Sequence, residues 1–125
     1  MDLEAQENKT FVFDLDGTIC VEKPKGTPRE EYSNVKPNVE IINHMKTLHE
    51  LGHYIIIHTA RHMKTMNNDI KKVENAVGDI TKQWLNKYDV PYDELIFGKP
   101  LGTYYIDDRS VLIDDFIKNG EKYYE

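Results

Sequence analysis

Short apolar segments alternate with amphipathic ones along this chain of 125 residues. Segments 11–13, 54–58 and 94–97 are apolar and rich in β-branched or aromatic residues, which is typical of buried strands. Segment 103–107 has a similar composition and predicts a fourth strand. Apolar residues spaced three to four apart predict helices from Pro37 to Gly52, from about Gly78 to Val90, and over 112–117 up to Gly120.

This order of strands and helices indicates an α/β layered fold with a mainly parallel sheet. The length fits one domain, 1–125, with a real core. Two polar segments lack a clear period. We predict that 21–35 is a flap-like loop beside the end of the first strand, and that 61–76 is a loop flanking the same region.

Composition narrows the class of protein. The formal net charge of −6 argues against a nucleic-acid surface, which needs a basic patch. No apolar run has the length of a membrane span, and the N-terminal residues lack a secretory pattern. The single cysteine, Cys20, cannot form an internal disulfide. We therefore expect a cytoplasmic protein with no membrane and no nucleic-acid partner.

Polar and charged residues follow each predicted strand. In open parallel sheets, sites form at the carboxyl ends of the strands, so these residues are expected to meet at one edge. They are Asp14 and Asp16 after the first strand, His58 to Arg61 after the second, Lys99 after the third, and Asp107 and Asp108 after the fourth. Carboxylates together with a hydroxyl and an ammonium group predict a metal-plus-phosphate site.

In order and type, these segments resemble the four motifs of the haloacid dehalogenase superfamily of phosphohydrolases. The matching positions are Asp14-Leu15-Asp16-Gly17-Thr18, then Thr59, then Lys99, then Asp107-Asp108. The chain also resembles the small capsule-biosynthesis phosphatases of that superfamily, through segments 58–61, 90–94, 98–100 and 105–109. The resemblance implies a three-layer, Rossmann-like fold. The short intervals between the motifs leave no room for a cap domain.

The resemblance also implies a mechanism and a set of residue roles. Asp14 would be the nucleophile that forms an aspartyl-phosphate, and Asp16 the general acid and base. Thr59 and Lys99 would stabilise the phosphoryl group, which Thr18 would also contact. Mg²⁺ would be held by Asp14, the backbone carbonyl of Asp16, and Asp107. Asp108 would complete the metal set or would orient a metal-bound water or Lys99. Arg61 either contacts phosphate or forms a structural ion pair.

The implied substrate is a phosphorylated sugar or another phosphorylated intermediate of capsule or surface-polysaccharide synthesis. Without a cap, the site would be open to a large phosphomonoester or would be completed by a neighbouring subunit of a homo-oligomer. The competing interpretation is a receiver-like signalling domain with a Mg²⁺-dependent acyl-phosphate. In that class, however, the phosphorylated Asp stands on a middle strand, whereas here the acidic pair leads the chain. A catalytically inert binding module is disfavoured because no motif residue is missing.

Overall fold

The computed structural model describes residues 8–125, and its centre is a parallel sheet of three strands. The strands are β1 (Thr10–Phe13), β2 (Tyr54–Thr59) and β3 (Glu94–Phe97). The helices are α1 (Val39–Glu50), α2 (Ile70–Lys87), α3 (Ile113–Asn119) and α4 (Glu121–Tyr124), and a short 3₁₀ helix spans Arg29–Asn34. The N-terminal segment on which the expectation about secretion rests lies outside the described residues.

The strand register brings the carboxyl ends of all three strands to one edge of the sheet. The order is β1-β2-β3, and both pairs are parallel. Phe13 pairs with Ile57 across the first interface, and Thr59 pairs with Phe97 across the second. The residues that follow Phe13, Thr59 and Phe97 therefore emerge side by side, as the sequence predicted for the first three strands.

The core lies on one face of this sheet. Alternate strand residues, including Phe13, Ile55 and Ile57, are buried in one cluster with the apolar residues of α1 and α2 and with Phe116 of α3. On the opposite face Val12 is 61% exposed. The α/β fold with a parallel sheet and no cap is confirmed among the described residues. The helices of the described residues contribute to this cluster on the buried face of the sheet.

Two helices begin at polar capping residues. The Asn38 side chain accepts a hydrogen bond from the Ile41 N–H at the start of α1, and the Asp69 side chain accepts one from the Lys72 N–H at the start of α2. The prediction that α2 starts near Gly78 was wrong. The helix starts at Ile70, so the predicted flanking loop, 61–76, ends where Asp69 caps the helix.

Within residues 8–125, no helix has the length and apolar character needed to cross a bilayer.

The predicted fourth strand is absent from the described structure. Residues 103–107 are exposed and do not pair with β1. Local contacts hold this segment instead: the Tyr105 hydroxyl donates to the Pro100 carbonyl and accepts from the Gly102 N–H. Aromatic and β-branched composition favours a strand only where a neighbouring strand completes the ladder, and here the segment folds back on itself.

The flap-like segment, residues 21–35, packs on the rest of the protein rather than standing free. It contains the 3₁₀ helix, whose Tyr32 is buried against Met63, Val73 and Val77. At its end, the Val35 carbonyl accepts a hydrogen bond from the Trp84 indole N–H. The segment is thereby fixed to α2 and lies over the edge of the sheet where β1 ends.

Candidate active site

Asp14 and Lys99 form an ion pair at the carboxyl edge of the sheet. The Lys99 Nζ lies 3.4 Å from the Asp14 Oδ1. The Asp14 side chain is 34% exposed and that of Lys99 is 20% exposed, so solvent and solutes reach the pair. Asp14 directly follows β1, and Lys99 is placed beside it because its N–H donates to the carbonyl of Thr59 at the end of β2.

Gly98 makes the turn that delivers Lys99. Its φ of +100° is a conformation that side chains disfavour, and a Cβ at this position would lie 2.7 Å from the Cδ1 of Ile70. The positive φ therefore favours glycine, and the Ile70 side chain would have to shift to make room for a Cβ. This explains the Gly98-Lys99 dipeptide in physical terms.

Asp16 has a different partner from Asp14. Its two carboxylate oxygens accept from Arg61, Oδ1 from a terminal nitrogen at 2.7 Å and Oδ2 from Nε at 3.0 Å. The Arg61 side chain is 1% exposed and that of Asp16 is 23% exposed. The geometry is bidentate, the arrangement in which Arg–carboxylate pairs are strongest. Arg61 therefore forms an ion pair, one of its two predicted roles, and its contact with phosphate stays a prediction.

Three further groups hold Arg61 in place. Its second terminal nitrogen donates to the Thr81 hydroxyl on α2 at 2.9 Å. The ring of Tyr32, from the flap-like segment, lies 3.9 Å from the guanidinium carbon. The Arg61 N–H donates to the Thr59 hydroxyl at 3.0 Å. A buried guanidinium needs acceptors for its donors, and this cluster supplies them.

Among the described residues, the hydroxyls of Thr59 and Thr18 make no hydrogen bond with Asp14 or Lys99. Thr59 is fully buried, and its hydroxyl is used to cap the turn that leads to Arg61. Thr18 is half-buried in the turn after β1, where its N–H donates to the carbonyl of Leu15. Gly17, at φ +87°, allows this turn to reverse the chain tightly. The phosphate-binding role of both threonines stays a prediction.

Asp107 and Asp108 do not join the other two acids. Both are exposed, in the segment where the fourth strand was expected. The Asp107 carboxylate accepts from the Arg109 N–H, and this contact, followed by a hydrogen bond with Asp108, lowers the pKa of Asp107. Within residues 8–125, no group of three or more acidic, His or Cys side chains could hold a metal ion. The structure therefore does not assemble the predicted Mg²⁺ ligands, because one of the four strand ends is missing.

The remaining titratable groups near the site are not poised for reaction. Burial, then the charge of Lys99, lowers the pKa of His58, so its ring is neutral near pH 7. Burial, then the Asp16 carboxylate, raises the pKa of the Cys20 thiol to about 12. The thiolate is the reactive form of cysteine, and Cys20 is therefore inert.

Sequence reasoning missed Thr81 and Tyr32. Thr81 stands in the buried stripe of α2, four residues after Val77 and four before Leu85, where an apolar residue is the rule. A polar residue at such a position signals a buried hydrogen-bond partner. Tyr32 gave no comparable signal, since it lies in a segment whose apolar residues follow neither helical nor strand spacing.

Comparison with known proteins places this geometry in a family. Residues 8–103 match the HAD family model of the polynucleotide kinase PNKP phosphatase domain. The chain belongs to this family. It is a small, capless phosphatase of the haloacid dehalogenase superfamily, as its motifs predicted, and membership favours hydrolysis over the receiver-like alternative.

Solved structures agree with this assignment. A crystal structure of a Vibrio cholerae protein is 36% identical to the phosphatase, with a TM-score of 0.81, and the match covers 91% of this chain and 92% of that one. A chain of the Pnkp1/Rnl/Hen1 complex is 22% identical, with a TM-score of 0.54, and the match covers 89% of this chain and 34% of that one. A chain of the Pnkp1/Rnl/Hen1 RNA repair complex is also 22% identical, with a TM-score of 0.55, and the match covers 90% of this chain and 30% of that one. The last two show the fold alone, and the phosphatase spans about a third of them. No curated protein matches the chain.

Replacing Arg61 by lysine tests the buried ion pair of the phosphatase. Lysine cannot make the bidentate contact with Asp16, so we expect a loss of about 2 kcal/mol in the free energy of unfolding and a kcat reduced about tenfold or more. Urea denaturation and hydrolysis of p-nitrophenyl phosphate measure the two effects. The matched control is Arg29→Lys, because the Arg29–Glu30 pair is exposed. An Arg61→Lys protein with unchanged stability and kcat would contradict this role.

Proposed function

We propose that the protein is a phosphomonoester hydrolase in which Asp14 attacks phosphorus directly. The observation that carries this proposal is the Asp14–Lys99 pair, partly exposed at the edge where the three strands end. A bond forms between an Asp14 carboxylate oxygen and phosphorus while the bond from phosphorus to the substrate oxygen breaks. The departing oxygen takes a proton and leaves as an alcohol. Water then attacks the phosphorus of the aspartyl-phosphate, releasing inorganic phosphate and restoring Asp14.

Lys99 is the group that makes this attack feasible. A carboxylate that meets a phosphate dianion at ~3 Å is repelled by roughly 10 kcal/mol at an effective dielectric constant of ~20. An ammonium group beside both partners offsets much of that repulsion. In the absence of substrate, Lys99 pairs with Asp14, and an incoming phosphoryl group would share the same ammonium.

Asp16 is proposed as the general acid and base. Its carboxylate is fixed by Arg61, which sets its direction. Its 23% exposure leaves room for a substrate oxygen or a water molecule to approach from the solvent side. Each carboxylate oxygen has a second lone pair, so Asp16 can take up or release a proton on its solvent side while Arg61 stays bound. Thr81 and Tyr32 would keep the guanidinium in place during that transfer.

Dependence on Mg²⁺ is proposed from family membership. The described residues do not fit the ion in their present arrangement, because Asp14 faces Lys99, Asp16 faces Arg61, and Asp107 is exposed elsewhere. When bound, a Mg²⁺ ion in such a site offsets negative charge on the phosphoryl group. Binding by Asp107 or Asp108 together with Asp14 would require the exposed segment that carries these two acids to adopt another conformation.

The proposed substrate is a phosphorylated sugar or a phosphorylated intermediate of surface-polysaccharide synthesis, as the motif resemblance implies. A cytoplasmic location and the possibility of a homo-oligomer belong to the same proposal. The matching family model is that of the phosphatase domain of a polynucleotide kinase, so an oligonucleotide with a terminal phosphate is the second candidate substrate. The net charge of −6 disfavours that candidate.

Substitution of the two leading acids separates their roles. Asp14→Asn should abolish hydrolysis of p-nitrophenyl phosphate, because the amide is not a nucleophile. Asp16→Asn should retain slow phosphoenzyme formation with this activated substrate and lose turnover of alkyl phosphates, which need a general acid. Asp79→Asn, an exposed acid on α2, is the matched control and should behave as wild type. Steady-state hydrolysis at the wild-type rate by Asp14→Asn would contradict the proposal.

Removal of divalent cations tests the metal proposal. Treatment with EDTA should abolish hydrolysis, and added Mg²⁺ should restore it. Asp107→Asn should raise the Mg²⁺ concentration that gives half-maximal activity by about tenfold, whereas Asp115→Asn, on α3, should leave it unchanged. Full activity in EDTA would show that hydrolysis does not use a divalent cation.

A further inference from the structure

The turn that places Lys99 begins with a glycine, and a glycine backbone does not hold one direction on its own. Gly98 has a φ of +100°, and the residue after it carries the ammonium group of the candidate site. The turn follows β3 directly and comes before the exposed segment that carries the second acidic pair. The hydrogen bond from the Lys99 N–H to the Thr59 carbonyl restrains it after the glycine. The direction of Lys99 also depends on what restrains Gly98 itself.

The side chain of Ile70 lies against Gly98. A Cβ at position 98 would be 2.7 Å from the Ile70 Cδ1 and 2.9 Å from its Cγ1, so these two atoms occupy the space beside the glycine. Ile70 is 45% exposed, and among the described residues it belongs to neither hydrophobic cluster. Its packing therefore restrains the turn and adds little to the core.

Ile70 is itself held in place. It is the first residue of α2 and directly follows Asp69, whose side chain caps the helix by accepting from the Lys72 N–H. A β-branched side chain in a helix keeps mainly one χ1 rotamer. A stiff side chain at a capped helix end is thus in contact with the residue whose backbone is intrinsically the most permissive in the turn.

We propose that Ile70 is a positioning residue that acts on Lys99 through Gly98. This inference rests on the proposed function, in which the Lys99 ammonium binds the phosphoryl group. With Ile70 in place the turn has fewer conformations, and the ammonium stays beside Asp14 at the edge of the sheet. A site that is already arranged in this way loses less conformational freedom when the phosphoryl group binds.

Inorganic phosphate is the probe for this role. Its dissociation constant is measured with Mg²⁺ present by a titration followed with ³¹P NMR, which also reports weak binding. Ile70→Ala should weaken phosphate binding about fivefold, because the glycine turn loses its restraint. In protein that also carries Lys99→Met, Ile70→Ala should have no further effect, because the group that it positions is gone. A merely structural role would weaken binding in both backgrounds.

Two further variants serve as rescue and control. Ile70→Val keeps the branch and both γ carbons, so it should bind phosphate as the wild type does. Val39→Ala is the matched control, because Val39 is likewise the β-branched first residue of a capped helix, α1, and is 58% exposed. It should leave phosphate binding unchanged.

Gly98→Ala tests the contact itself. With Ile70 present, the added methyl group meets the isoleucine side chain, and phosphate binding should weaken about tenfold. In Ile70→Ala protein the methyl group has room, and the smaller loss that remains comes from the positive φ.

Unchanged phosphate binding by Ile70→Ala, equal weakening with and without the Lys99 side chain, or additive effects of Gly98→Ala and Ile70→Ala would overturn the proposal. Lys99→Met protein that binds phosphate as tightly as the wild type would instead contradict the proposed function, so the two failures are distinguishable.

Discussion

The arrangement of the site depends on the buried ion pair between Arg61 and Asp16. A guanidinium group inside a protein must find acceptors for its N–H donors, because burial without them costs several kcal/mol. Arg61 finds them in the turn after β1 and, through Thr81, on α2, while Tyr32 covers its face. One side chain therefore joins the sheet edge, a helix and the flap-like segment, and the direction of the Asp16 carboxylate follows from this connection.

The local pattern of the sequence predicted the elements that position the site. The β-branched run at 54–58 became the central strand, and the register with its neighbours brought Asp14 beside Lys99 as expected. The helix after Pro37 was predicted because its apolar spacing agrees with Pro37 at its start and Gly52 at its end. In each case the signal is local, since strand composition, helical period and end residues lie within one short segment of the chain.

The features that were missed depend on contacts between distant parts of the chain. Arg61 and Asp16 are 45 positions apart, and no local pattern reports their pairing. The first two turns of α2 hold Lys, Glu and Asn residues among the apolar Ile70, Val73, Ala76 and Val77, so the helical spacing of its apolar residues was hidden, although Asp69 is a good cap. Residues 103–107 have the composition of a strand, yet the Tyr105 hydroxyl closes a local loop instead. Composition thus indicated a tendency there, and tertiary context decided the outcome.

The two leading acids consequently differ in what they can do. Asp16 is held at both oxygens by a buried cation, whereas Asp14 faces a single, partly exposed ammonium and can exchange it for a phosphoryl group. The most direct test is to mix Asp16→Asn protein with p-nitrophenyl phosphate, quench with acid within the first turnover, and locate the phosphoryl group by mass spectrometry of peptides. The account predicts one added phosphoryl group on Asp14. Release of nitrophenol with no phosphoryl group on Asp14, or with the group on another residue, would contradict it.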